Sequence, residues 1–202
     1  MLRYFQNDLL NSNKFIITME LVPGRRPSGQ SLNVVKKMAA DAFTDGRISA
    51  VSITDNPGGH PSLSPDVLGY EIFSVGMDVI VHFTCRDMNR AGIESRALQL
   101  AMMGVKNILA LSGDYTSKGF SGRSAPVFDL DSIHLISMLK SLSTRLAESG
   151  DPDEFLPERR FRPLSILREK VLPSMQNYSK KKLPALNLSL PSWGMILKNM
   201  MN

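Results

Sequence analysis

The chain has 202 residues, enough to bury a sizeable core in one domain but fewer than a complete (β/α)8 barrel usually takes. Hydrophobic residues make up 43% and charged residues 21%, no apolar run approaches the length of a membrane span, and no basic-then-apolar leader opens the chain, so a cytoplasmic protein with no membrane partner is expected. The net charge of +5 is concentrated in residues 157–202, with nine Lys/Arg against two Asp/Glu, while residues 1–156 are slightly acidic, which argues against nucleic acid as a partner of the main body.

In chain order, residues 14–21 read as a first buried strand. Ser31 is placed to cap a helix over 32–43, with Val34, Val35, Met38 and Ala39 on one face. A second strand over 48–53 ends in Thr54-Asp-Asn-Pro-Gly-Gly59, a run that reads as loop. Ser64-Pro-Asp66 supplies an N-cap, a first-turn proline and an acidic first turn for a helix that reaches about Gly76. Strand three covers 78–84, a helix runs over about 88–103 to the stop at Gly104, and strand four covers 107–111. The Gly/Ser-rich stretch 113–126 is a loop, and a helix follows over about 131–147 with Ile133, Ile136 and Leu139 inward. Four βα units in strict alternation predict an α/β fold with a parallel sheet, either a barrel or doubly wound, and a functional site at the carboxyl ends of the strands.

The residues at those strand ends are the candidates for chemistry. Glu20 lies between apolar Met19 and Leu21 and is either a catalytic acid with a raised pKa or a structural carboxylate. His82 alternates with Val81 and Phe83, so it faces the opposite side of its strand. Asp114 follows Gly113 at the end of strand four, either functional or capping a turn. Cys85 stands alone, with no second Cys or clustered His to suggest disulfide, metal or nucleophile work, so no metal site is expected. Arg25-Arg26, His60 and His134 read as solvated or packed residues.

Five pieces at these positions, Thr18-Met-Glu-Leu-Val-Pro23, Val51-Ser-Ile-Thr-Asp-Asn-Pro57, His82-Phe-Thr-Cys85, Ile108-Leu-Ala-Leu-Ser-Gly-Asp114 and Pro126-Val-Phe-Asp-Leu-Asp131, resemble the methylenetetrahydrofolate reductase family in order and at fitting spacings. The resemblance covers residues 14–146 and implies the first part of a (β/α)8 TIM barrel. It implies a flavoprotein, with FAD or FMN, that takes hydride from NAD(P)H and reduces 5,10-methylenetetrahydrofolate to 5-methyltetrahydrofolate. Because the folate's five-membered ring must open before it accepts hydride, an acid near N10 is required, and the resemblance gives that role to Glu20. It implies that Asp114 holds the folate and acts with Glu20 in catalysis. Flavin or nicotinamide contacts fall on Thr54, His82, Ser112, Gly113, Asp114, Phe128 and Asp129, although Phe128 and Asp129 depart from the family's residue types.

Residues 1–150 are therefore expected to form the N-terminal half of a barrel, about four βα units, with 151–202 an irregular, poorly ordered basic tail. Read in a shifted frame, the tail regains family-like segments, Ala185–Asn202 becoming AELVITQLGYDLEKYDE, so a lost reading frame is expected between about Gly150 and Phe161. A barrel needs eight strands to close its ladder, so weak or absent activity is expected of this chain alone. Two other readings remain: a non-catalytic half-barrel that recruits an acidic partner, and a pterin or corrinoid methyltransferase-type barrel without flavin. The sequence leaves homo-oligomer formation open.

Overall fold

The computed structural model describes residue 5, residues 8–9, 15–119, 122–148 and 165–168, with 147–148 and 165–168 described by backbone alone. Strands β1 (Ile17–Leu21), β2 (Ile48–Ile53), β3 (Val79–Thr84) and β4 (Asn107–Leu111) alternate with helices α1 (Gln30–Asp45), α2 (Pro65–Ser74), α3 (Arg90–Met102) and α4 (Ser132–Glu148). A short hairpin, β5 (Lys118–Gly119) with β6 (Gly122–Arg123), lies between β4 and α4, and β7 (Ser165–Arg168) follows. The main sheet is parallel throughout, in the order β1-β2-β3-β4-β7. A doubly wound sheet reverses its strand order at a switch point; no reversal occurs among the described strands.

Several expectations are corrected. No strand was expected after the fourth helix, yet Ser165–Arg168 pairs with Asn107–Ala110 in parallel register. The rest of the expected tail, including Lys180–Lys182, lies outside the described residues. Helix α1 begins after Gly29 rather than at Ser31, with no side-chain cap, and its buried residues are Ala39 and Ala42, while Val34 and Met38 are exposed. Helix α3 starts at Arg90 because Asn89 Oδ1 accepts the Gly92 amide at 2.9 Å and makes the cap. On α4 the inward stripe is Leu135, Leu139 and Leu142, and Ile133 faces out. Ser64 caps α2 as expected, its Oγ accepting the Asp66 amide at 3.3 Å.

Strand alternation gives the sheet two unlike faces. Val51, Ile53, Val81, Phe83, Cys85 and Ile108 point toward the helices and form the main core. Each fully buried aliphatic side chain there contributes about 1.5–3 kcal/mol. On the other face Ile16, Ala50, Ile80 and Leu109 gather around Phe5 in a second, smaller cluster. Phe5 is anchored there by its amide, which donates to Asp78 Oδ2 at 2.6 Å, while Asp78 Oδ1 accepts from Asn107 Nδ2 at 3.1 Å. Burial pushes the Asp78 carboxyl pKa up, against these hydrogen bonds. Polar residues enter this face among the cluster, Glu20 and Ser52 level with Ile80 and His82 level with Leu109, and Thr84 follows at the carboxyl end.

A buried cation ties the helices to that polar end. Arg96 on α3 sits at the inward spacing of Ile93, Ala97 and Leu100. Its Nε and Nη2 grip both oxygens of Asp66 at 2.8 and 2.7 Å, its Nη1 donates to Asp55 Oδ2 at 2.8 Å, and its Nη2 reaches the His82 carbonyl at 3.2 Å. The guanidinium also lies 4.3 Å from the centre of the Phe83 ring. Burial alone would lower its pKa, but the hydrogen bonds and charge of Asp66 and Asp55 prevail and raise it, so Arg96 stays charged. Arg96→Met leaves two buried carboxylates without a counter-ion and is expected to cost about 3–5 kcal/mol, read as a lower urea midpoint. Adding Asp55→Asn and Asp66→Asn should restore much of the loss, and an unchanged midpoint in the single variant refutes the assignment.

Candidate active site

Register locates the polar residues of the inner face. Glu20 pairs with Ser52, and Ser52 pairs with Ile80, so Glu20 stands on the face that carries Ile80. Thr54 lies two residues beyond Ser52, and His82 two beyond Ile80, which puts both on the next rung toward the carboxyl ends. Glu20 is half-buried, whereas Thr54 and His82 are buried. The Thr54 amide is fixed by the Leu21 carbonyl at 3.1 Å.

Two atoms on this rung are unusual. Thr54 Oγ1 and His82 Nε2 are buried without a hydrogen-bond partner among the described residues. Such an atom ordinarily has a partner, and leaving it bare costs about 1–3 kcal/mol. Burial lowers the His82 pKa to about 4, against the opposing charge of Asp55. At neutral pH the ring is therefore uncharged, with one nitrogen ready to donate or accept.

The loop after β4 crosses the end of β3 and is held there by Arg86. Its Nη1 donates to the Asp114 carbonyl at 3.0 Å and its Nη2 to the Asn56 carbonyl at 3.2 Å. Its Nε and Nη2 form a fork with Asp87 at 2.8 and 2.6 Å. Gly113 makes the approach feasible: at φ 91°, a Cβ there would sit 3.2 Å from the Cβ atoms of both Arg86 and Thr84. The same loop meets the one after β2. Ser117 donates through its amide to the Gly59 carbonyl at 2.9 Å and through Oγ to the Gly58 carbonyl at 2.7 Å. A Cβ on Gly59 would fall 2.0 Å from the Tyr115 carbonyl oxygen, so only glycine permits this contact. Below the loops, a polar cavity of about 160 Å³ is lined by Asp55, Asp66, Thr84, Asp87 and Arg96, among others.

The expected site residues thus fall into three groups. Glu20, Thr54 and His82 share the inner face. Gly113, Asp114 and Phe128 belong to the loop over the rim, with Asp114 exposed. Ser112 and Asp129 are directed toward helix starts: Ser112 Oγ accepts the Ser132 amide at 3.3 Å, and Asp129 Oδ2 accepts the Arg90 amide at 2.7 Å. Cys85 lies in the main core, Arg25 and Arg26 are exposed, and exposed His134 pairs with Asp131 at 2.8 Å. His60 is half-buried, with Nδ1 lacking a partner among the described residues.

Sequence reasoning gave no role to Asp55 and Arg96. For Arg96 a signal existed, an arginine at the apolar spacing of its helix. Asp55 falls in a run read only as loop, and nothing local marks its contact with Arg96.

The neutral His82 has a consequence for acid stability. The unfolded imidazole titrates at 6.5 and the folded one at about 4. Stability from this residue is full above pH 6.5 and declines as pH falls toward 4, by about 3 kcal/mol in all. His82→Gln should flatten the stability profile across that window in urea titrations; an unchanged slope rejects the neutral buried imidazole.

No described helix is long and apolar enough to cross a membrane. No curated protein matches the chain in a sequence search. A family model described as methylenetetrahydrofolate reductase matches residues 6–151, the stretch that builds β1 to α4 and the inner-face site. The chain belongs to the methylenetetrahydrofolate reductase family.

Proposed function

We propose that the chain binds a flavin on its inner face and supplies part of a site that reduces 5,10-methylenetetrahydrofolate to 5-methyltetrahydrofolate with NAD(P)H, with weak activity from this chain alone. Family membership supports a reductase of folate one-carbon metabolism, and FAD is the flavin its members generally bind. The observation that carries the reading is the pair of buried atoms, Thr54 Oγ1 and His82 Nε2, that lack a partner among the described residues and lie on one rung of the sheet. The sequential parallel sheet supports a (β/α)8 plan, in which chemistry gathers at this end.

When bound, the flavin supplies a hydride relay between nicotinamide and folate. Thr54 Oγ1 and His82 Nε2 would hold it by hydrogen bonds, and the neutral state of His82 would keep its bond constant across physiological pH. Gly113 lets the backbone approach the ring closely, and Asp114 binds the polar edge of the folate from the rim. The Glu20 carboxyl, on the inner face, is the acid that delivers a proton to folate N10 as the five-membered ring opens. The loops joined at Gly59 and Ser117 shield one side of this space from water.

The test uses the full chain. Flavin should bind and be released on denaturation, and Thr54→Val with His82→Leu should weaken binding by about tenfold or more. Glu20→Gln should leave flavin binding intact and reduce folate-dependent NAD(P)H oxidation by about a hundredfold. Absence of flavin binding in the unaltered chain would overturn this reading and favour a methyltransferase-type or non-catalytic barrel.

A further inference from the structure

Tyr115 is a tyrosine whose backbone is fixed and whose ring is left in solvent. Every neighbour in the chain is tied down. The Asp114 carbonyl is held by Arg86, the Tyr115 carbonyl rests against Gly59, and Ser117 is bonded to Gly58 and Gly59. Thr116 between them is buried, with its Oγ1 donating to the Ser124 carbonyl at 2.8 Å. The Tyr115 side chain nevertheless stays 70% exposed. A single exposed aromatic residue needs no explanation; this one projects from backbone whose flanking residues are all anchored, and it contributes nothing to the core.

A second ring lies beside it. Phe128 has its centroid 6.1 Å from that of Tyr115, with 39° between the planes. Phe128 adopts φ 44°, a left-handed conformation that bulky side chains avoid and that costs about 1–3 kcal/mol. Its position is set by the same residue that sets Tyr115. The amide of Val127 donates to the Arg86 carbonyl at 2.8 Å, just as the Arg86 side chain holds the carbonyl of Asp114. One buried arginine therefore anchors the residue before each ring. Two stacking distances need about 7 Å, so the rings do not form a slot; they form a continuous tilted surface next to Asp114.

We propose that Tyr115 and Phe128 form a preorganised aromatic platform on which a planar heteroaromatic ring stacks at the rim. The proposal rests on the ligand reading above, under which two such rings, flavin and pterin, reach this end of the sheet, and it assigns Tyr115 a specificity role that none of the family-like segments contains. The anchored backbone beside each ring reduces the ordering cost of binding. The hydroxyl of Tyr115 is dispensable to stacking, while its flat face is not.

The platform is tested by titrating the full chain with FMN, FAD and 5-methyltetrahydrofolate, comparing the unaltered protein with Tyr115→Leu and Tyr115→Phe. Leucine should weaken one ligand class by about tenfold, and phenylalanine should restore it. Loss for both flavins identifies the isoalloxazine ring as the occupant, and loss for the folate alone identifies the pterin. The exposed position of Tyr115 predicts unchanged circular dichroism and melting in both variants. If the unaltered chain binds a flavin or the folate and Tyr115→Leu binds it as tightly, the platform alone is refuted. If the unaltered chain binds none of the three, the platform falls together with the reading on which it rests.

Discussion

A guanidinium enclosed by two carboxylates organises the end of the molecule where ligands are expected. Arg96 comes from α3, Asp66 from the first turn of α2, Asp55 from the segment after β2, and the His82 carbonyl from β3. Asp55 also accepts the amide and hydroxyl of Thr84, both at 3.0 Å, so the end of β3 is drawn into the same cluster. Such a cluster is poor evidence for extra stability, because desolvation offsets much of the attraction. Its value is geometric. Hydrophobic packing lets a helix slide along a sheet at little cost, whereas a bidentate ion pair has one satisfactory position. The height of α2 and α3 relative to β2 and β3 is fixed in this way, and with it the rung that carries Thr54 and His82.

The inner face mixes two kinds of residue. Phe5 closes an apolar cluster with Ile16, Ala50, Ile80 and Leu109. Beside that cluster stand Glu20, Thr54 and His82, groups that can bind, and two of them keep an atom without a protein partner among the described residues. The cost of those bare atoms is set against the tight packing of β3, all six of whose residues are buried. This is the general arrangement in which a stable floor carries a polar, functionally committed rim.

Much of this was legible in the chain because the period of apolar residues reports directly on burial. The four strands, the cap at Ser64 and the inward direction of His82 follow from alternation and turn chemistry. Helix starts were less legible where glycine took the place of the expected cap, Gly29 for Ser31, and at Asn89, a cap for which none was named. The inward face of α1 was placed one step off: Val35 and Ala39 pack on the core as expected, but Leu32 and Ala42 complete the stripe while Val34 and Met38 are exposed. Strand β7 is bracketed by prolines and charged residues, and its pairing comes from contact with β4 rather than from its own pattern. At the candidate site, local spacing selected the strand-end residues but gave no sign that Ser112 and Asp129 serve helix starts, since both bonds join segments at least 20 residues apart.

Arg86 has an implication for how the rim can change over time. One side chain holds the carbonyls of Asn56 and Asp114, and its own carbonyl receives the amide of Val127. Three connections that would otherwise drift independently in length are thereby coupled. An insertion in one displaces the anchor shared by the other two, so tolerated changes should occur as matched sets across relatives, or at the outer hairpin beyond Ser117, where the shared anchor is out of reach.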